Sequence, residues 1–457
     1  MINKLIDIKI FISFILLIYI EVHLLRIFII DSRYLSVLLL FSICLVPAVN
    51  FFKNKPKLFF LHFEFYLFFT FLLFLLILNL IFNINNLTIG EIYIFYFLPF
   101  FSIIFYWLLN LYKLEKNLFK LFVIVFVIQS SYLSVELFDQ YLGFNIHKSN
   151  KIIDFYFHTY IGRFEGSDGG WGHNIVFNFY KSLPLLLGTK GWPHYTAPIY
   201  LISFIGSLIY FISKKKSLDF NLLIFLHLII GLFFILMLNV KTHWFSCIIS
   251  LILITFFLNK RLIIFIFVML VILLLATYNN EFLNDRILGS FKNFFSQVHY
   301  TFSSNTFLQR GRFDEIFDFQ QFNIFTKITF DRLLFGFGLK ANQISQNFGN
   351  IQISLIEIAL KLGIPYIIFY VSLNLYSVYI LISLLIKEKE YKAKKIILFL
   401  LCSIIILLSD SIHFGQNFTE PLYGLNYIFI GYTFYLKKNT CNYTFEKIHL
   451  LVNNKYR

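Results

Sequence analysis

Two stretches of this chain concentrate the residue types that do chemistry. The first runs Arg163-Phe164-Glu165-Gly166-Ser167-Asp168-Gly169-Gly170-Trp171-Gly172-His173-Asn174. Five glycines within residues 162–172 permit tight turns and let backbone approach a ligand closely. Arg163, Glu165, Asp168 and His173 are the polar groups there, and Trp171 offers a flat apolar face for a sugar ring. The competing reading is a solvated Gly-rich hairpin. The second stretch is Gln309-Arg310-Gly311-Arg312-Phe313-Asp314-Glu315, followed by Leu334-Phe335-Gly336-Phe337-Gly338. A guanidinium gives permanently charged, bidentate hydrogen bonds, so two arginines flanking a glycine suit an anionic lipid headgroup. The alternative pairs Arg310 or Arg312 with Asp314, Glu315 or Asp318 along one helix face. Lys241 opens Lys241-Thr242-His243-Trp244 directly before an apolar run. It either snorkels to the interface or faces the same anion as the arginines.

Glu21, His23, Arg26, Glu64, Glu136, His227, Glu357 and Lys361 lie within or near apolar runs, where an ionisable group is a functional candidate by default. Glu21 and Arg26 have the spacing to pair across about one turn, and a lone His227 reads as a packing residue. No H-x-x-x-H pair or carboxylate cluster at metal spacing occurs, and no Walker A or dinucleotide fingerprint. The chemistry is therefore expected to run with no metal, cofactor or ATP held by this chain. Cys44, Cys247, Cys402 and Cys441 form no disulfide framework.

These residues must be positioned by something, and the composition says what. The chain of 457 residues is 59% hydrophobic, 21% aromatic and 14% charged, with 63 Phe and a mean hydropathy of +0.76. Soluble domains carry about 25% charged residues, so an ordinary soluble globule, a disordered chain and a disulfide scaffold are excluded. A membrane-crossing helix needs about 20 apolar residues. Twelve runs qualify: 10–30, 34–52, 58–82, 91–111, 118–138, 197–213, 219–239, 243–258, 261–278, 363–386, 395–411 and 421–436. They are continuous rather than alternating, which argues for helices over barrel strands. The first is longer than a secretory h-region of roughly 7–15 residues and lacks a small-residue cleavage site, so it reads as a span and not a cleaved signal.

The formal net charge of +15 has a location. With the N-terminus inside, the inner turns hold Lys53, Lys55, Lys57, Lys113, Lys116, Lys120, Lys214, Lys215, Lys216, Lys260, Arg261, Lys387, Lys389, Lys392, Lys394, Lys395, Lys437 and Lys438. The short outer turns hold Arg33 and Lys241. This is the positive-inside pattern, and it removes the case for a nucleic-acid partner. The expected fold is an all-α polytopic membrane protein of about twelve transmembrane helices, both termini inside, with two long extracytoplasmic loops. It divides into a five-helix membrane segment 1–138, a first outer loop 139–196 and a four-helix segment 197–278. A second outer loop 279–362, a three-helix segment 363–436 and a cytoplasmic tail 437–457 follow. Long loops in a compact protein are usually functional, so the chemistry is expected on the outer face.

This plan resembles the bacterial O-antigen polymerase and O-antigen ligase superfamily. Four stretches carry the likeness. Arg163 to Asn174 looks like the family's Arg/Gly-rich entry to its central loop. Lys241-Thr242-His243-Trp244, with Lys260-Arg261 after an apolar run, resembles its Ser-Arg-type outer turn, with Lys for Arg. Arg312 with Gly336-Phe337-Gly338 resembles its Arg…Gly-x-Gly segment, at a longer gap. Gln352 through Leu362-Gly363-Ile364-Pro365 resembles the exit from the large loop. The ligase branch usually has His-Asn eleven residues before that glycine. Here Gln352 and Ile353 stand there, and glutamine is no general base, which favours the polymerase branch.

The resemblance implies a glycosyltransferase at the periplasmic face of the inner membrane, using an undecaprenyl-diphosphate-linked glycan as donor and a lipid-linked repeat unit as acceptor. It implies Arg163, Lys241, Arg310 and Arg312 at the diphosphate, Asp168, Glu165 and His173 as candidate bases, and Trp171 and Trp192 on sugars. Membrane lipids and a chain-length regulator protein are the implied partners. The alternatives are an O-antigen ligase and a polysaccharide flippase or other secondary transporter. Transporters commonly show repeated halves and sites at mid-membrane, and no half-to-half correspondence occurs in this sequence.

Overall fold

The computed structural model describes residues 2–21, 38, 39, 42, 43, 45, 63–83, 96–142, 193–212, 218–238, 241–260, 263, 264, 266–268, 271, 328–337, 354–413 and 422–455. Among them the structure is helical, with no strand. The principal helices are α1 (Ile2–Ile20), α2 (Phe63–Asn83), α3 (Phe101–Tyr112, entered through a 3₁₀ turn Leu98–Phe100), α4 (Glu115–Leu142), α5 (Pro193–Ile212) and α6 (Leu218–Met237). They continue as α7 (Lys241–Phe257), α8 (Phe330–Phe335), α9 (Ser354–Leu362), α10 (Ile364–Lys387), α11 (Tyr391–His413) and α12 (Leu422–Lys455).

Three of the described helices are long and apolar enough to cross a membrane: Phe63–Asn83, Asn117–Val135 within α4, and Ile364–Lys387. Five further apolar stretches are shorter. Their exposed faces fit the same solvent. On α2, Leu67, Phe71, Phe74, Ile77 and Ile81 are all exposed and recur every three or four residues, a single apolar stripe on one side of the helix. Acyl chains, not water, suit such a surface. The molecule is thus a helical membrane protein by length, composition and surface.

Two compact units divide the chain. One comprises Met1–Ile15, Val37–Leu118 and Asn323–Arg457, the other Leu16–Ser36 and Phe119–Phe322. In the first unit, α2 and α10 run antiparallel: Phe71 meets Phe369, Phe68 meets Tyr376, and Glu64 accepts a hydrogen bond from Tyr376. Helices α10 and α12 run parallel, with Tyr366 against Tyr423 and Tyr376 against Phe434. Helix α3 also parallels α12. Gly431 sits where an added Cβ would come within 2.1 Å of the Ser102 carbonyl oxygen, and Tyr106 meets Tyr435 four residues on. Gly431 thus permits the tightest approach in this pair.

Among the boundaries that differ from the sequence reading, two have a visible cause. The turn expected over 112–120 closes in two residues, because Lys113 takes the left-handed conformation (φ 48°) and its N–H caps the Leu109 carbonyl, letting α4 start at Glu115. The last span and the expected tail form one continuous helix, Leu422–Lys455. Charge alone does not stop a helix: Lys437 bonds Glu64 and Lys438 lies over the Tyr106 ring while the backbone continues.

Candidate functional site

The most elaborate polar structure of the first unit lies where α2 ends and α10 begins. Asn79 and Asn83 are four residues apart, so their carboxamides share one face of α2. Both are buried, and a buried carboxamide in an apolar helix must find partners. Asn79 Nδ2 donates to the Phe335 carbonyl and to the Lys361 carbonyl (3.3 Å), and its Oδ1 accepts from the Tyr96 hydroxyl. Asn83 Nδ2 donates to the Phe335 carbonyl at 3.0 Å. Arg332 Nη1 donates to Asn83 Oδ1 at 3.1 Å and to the Gly336 carbonyl at 3.3 Å. The guanidinium lies 5.6 Å from the Phe337 ring centroid, and Phe82 stacks on Phe335 at 3.9 Å. α2 therefore ends as a polar socket into which the segment 330–337 is plugged.

A second joint locks this segment to the start of α10. Phe337 N–H donates to the Leu360 carbonyl at 2.7 Å. Gly336 and Gly363 both have positive φ, 71° and 91°. With ψ of −178° and 157° they occupy a region that is essentially glycine-only. Each also lies against the other's neighbours: a Cβ on Gly336 would meet the Lys361 oxygen at 2.3 Å, and one on Gly363 the Leu334 oxygen at 2.0 Å. Gly363 then serves as N-cap of α10, with Pro365 in the first turn, where proline's missing N–H costs nothing.

Arg332 is the cation this architecture presents. Its side chain is 37% exposed, and its Nε is 3.9 Å from Asp331, a loose contact. Nη2 has no bonded partner among the described residues. One edge of the fork is thus fixed and the other is open, an arrangement that suits an anion. The Thr329 hydroxyl holds the Asp331 carboxyl below its ordinary value.

Inward from the socket lies a buried tyrosine ring. Tyr366, Tyr423 and Tyr427 are hydrogen-bonded pairwise through their hydroxyls, at 3.2 Å from Tyr427 to each of the others. Three hydroxyls arranged in this way let each donate to the next, so none is left unsatisfied. One turn further along α10, the Tyr370 hydroxyl accepts from Asn426 Nδ2 at 2.8 Å.

The second unit holds simpler polar pairs. Gln129 Nε2 donates to Glu21 Oε1 at 2.8 Å, so Glu21 is engaged by α4. Arg26, its expected partner, lies outside the described residues. His227 Nε2 is 2.9 Å from Ser207 Oγ and the ring packs against Phe126, Phe204 and Phe211. It is a packing histidine, as its isolation in the sequence implied.

Of the residues expected to do chemistry, Arg163, Glu165, Asp168, Trp171, His173, Trp192, Arg310 and Arg312 lie outside the described residues. Lys241 is the first residue of α7, on the turn side of that helix, and its side chain is not described. The socket was missed by sequence reasoning. Its signal was present in Asn79 and Asn83, two carboxamides at i and i+4 in an otherwise apolar run, the pattern by which membrane helices hold partners. Among the described residues no group of three His, Cys, Asp or Glu side chains gathers to hold a metal. Asn79→Ala should destabilise the protein by about 2 kcal/mol by removing the carboxamide's bonds to the Phe335 and Lys361 carbonyls and the acceptor of the Tyr96 hydroxyl. Thermal unfolding in detergent checks this, and an unchanged midpoint would show that water replaces the carboxamide without loss. No protein-family model, curated protein or solved structure matches the chain.

Proposed function

We propose that this protein is a bacterial inner-membrane O-antigen polymerase, joining undecaprenyl-diphosphate-linked oligosaccharide repeat units at the periplasmic face. The observation that carries the proposal is the glycine joint. Two of the four stretches on which the family resemblance rests are bonded backbone to backbone, from Phe337 N–H to the Leu360 carbonyl, and hold Arg332 at one end of the bundle. The opposite end of α2 carries the Glu64–Lys437 ion pair. Glu64 and Asn79 are 15 residues apart, about 22 Å of helix. The positive-inside pattern then assigns the Lys437 end to the cytoplasm and the Arg332 end to the periplasm.

In this reading the terminal hydroxyl oxygen of the acceptor attacks the anomeric carbon of the donor. A glycosidic C–O bond forms, and the bond from that carbon to the diphosphate oxygen breaks. The lipid diphosphate leaves with the electron pair. A base drawn from Asp168, Glu165 and His173 takes the hydroxyl proton. Arg163, Lys241, Arg310 and Arg312 stabilise the charge that grows on the leaving oxygen, and Arg332, in the other compact unit, is a separate candidate for an anion.

The test is the surface-polysaccharide profile of a strain lacking the protein. A polymerase defect leaves single repeat units on the lipid core in place of a ladder. Long lipid-linked chains that fail to reach the core would make it a ligase, and units held at the cytoplasmic face would make it a flippase. Tags at positions 168 and 315 should both be reached from the periplasm, and labelling of either from the cytoplasm would overturn the assigned orientation.

A further inference from the structure

The turn between α10 and α11 gathers more basic residues than any other expected inner turn. Lys387, Lys389, Lys392, Lys394 and Lys395 fall within nine residues, where the other inner turns hold two or three each. Glu388 and Glu390 share the turn, yet among the described residues none of the five lysines forms an ion pair. The Glu388 carboxylate is engaged within the turn, where its Oε1 accepts the Glu390 N–H at 2.8 Å. Lys387, Lys389 and Lys392 are exposed. Lys395 is 8% exposed. Its ammonium lies 4.0 Å from the centroid of the part-exposed Tyr391 ring and has no hydrogen-bond acceptor among the described residues. A cation–π contact at such a ring is a weak partner for a charge drawn out of water, so the turn lacks an anion.

An apolar track leads to this turn. Ile368, Leu375, Tyr379, Ile382 and Ile386 are all exposed, and their spacing places them along one side of α10. Leu375 and Ile386 are 11 residues apart, about 16 Å of helix, close to the roughly 15 Å of hydrocarbon in one leaflet. Ile386, 71% exposed, directly precedes Lys387. We propose that the α10–α11 turn binds the phosphodiester headgroup of one anionic phospholipid, with an acyl chain of that lipid lying along Leu375–Ile386. An ammonium only donates, and the phosphodiester oxygens only accept, so the two match in charge and in hydrogen bonding. The positive-inside pattern accounts for lysines at an inner turn. It does not require that five stay unpaired beside two glutamates, one of them with its stem buried. The exposed apolar track favours a lipid over a soluble acidic partner, because acyl chains cover it without loss. The assigned orientation makes this the cytoplasmic leaflet, where basic clusters next to spans attract anionic lipid.

Purified full-length protein in detergent is titrated with dioleoyl phosphatidylglycerol or with phosphatidylcholine of the same chains, and bound lipid is counted by native mass spectrometry. The tightest site should prefer phosphatidylglycerol by about tenfold. Combining Lys387→Ser, Lys389→Ser and Lys392→Ser, all at exposed positions, should abolish that preference. The same change at Lys214, Lys215 and Lys216, in another inner turn, should leave it intact. Where the triple variant does not fold, Lys389→Glu alone should weaken phosphatidylglycerol binding by at least about fivefold. Equal affinity for the two lipids in the parent overturns the proposal. So does a preference that survives the triple change, or one that the Lys214–Lys216 change removes equally, which would make it a general effect of positive charge. Unchanged affinity in Lys389→Glu overturns it as well. Glycerol 3-phosphate should not displace the lipid at equal concentration, and displacement would make the ligand a soluble phosphate instead. No sugar substrate is present in the measurement, so a negative result leaves the polymerase reading untouched.

Discussion

Gly363→Ala is expected to cost the protein at least about 4 kcal/mol. Two effects add. The backbone at Gly363 occupies a region that costs any other residue about 1–3 kcal/mol. The new methyl would also sit 2.0 Å from the Leu334 oxygen and 2.6 Å from its carbonyl carbon. Both are backbone atoms, held by the Gly336 N–H bond to Arg332 and the Phe337 N–H bond to Leu360, so neither can swing aside as a flexible side chain would. The unfolding midpoint in detergent should fall by about 10 °C, and the folded yield with it. Gly336→Ala should behave alike, since the joint is reciprocal. A Gly363→Ala protein that melts within about two degrees of the parent would show that the joint is loose.

The second large effect concerns rate. Replacing with alanine any cation that meets the departing diphosphate should slow polymer formation by about 10²–10³-fold, because a pre-placed positive charge acts only as the leaving oxygen becomes negative. The candidates are Arg163, Lys241, Arg310 and Arg312, with Arg332 a separate candidate in the other compact unit. At Arg332 the conservative change is expected to fail as well. Lysine keeps the charge, yet one ammonium cannot bond Asn83 and the Gly336 carbonyl and still offer a second edge to an anion. At Lys241, where a point charge suffices, arginine should restore function. The readout is the polysaccharide ladder in complemented cells at matched protein levels. Normal ladders from all five alanine variants would end the diphosphate reading.

What the sequence disclosed follows from its physics. The runs 58–82 and 363–386 correspond within a few residues to Phe63–Asn83 and Ile364–Lys387, because uninterrupted apolar residues bounded by lysines on one side and Gly363-x-Pro365 on the other leave little choice of boundary. The isolation of His227 among aromatics was enough to read its role. Other features are invisible to hydropathy. Asn83 lies 249 positions from Arg332 and 252 from Phe335, and only the fold shows that α2 receives the segment 330–337. The tyrosine ring pairs Tyr366 with Tyr423 and Tyr427, residues that a hydropathy reading counts simply as span. Lys437 and Lys438 suggested an end to the last span, whereas one lysine pairs with Glu64 and the other lies on Tyr106, so the helix continues beneath them.

That continuation makes α12 a lever. Its 34 residues measure about 51 Å, against roughly 30 Å of hydrocarbon. The end that begins at Leu422 is gripped by the hydroxyl ring through Tyr423 and Tyr427. The helix is held again at Lys437 by Glu64 and at Lys438 by the Tyr106 ring, and a bend of about 5° past them would sweep Lys455 sideways by about 2 Å. A small change at the Glu64–Lys437 pair is therefore magnified at the helix's far end.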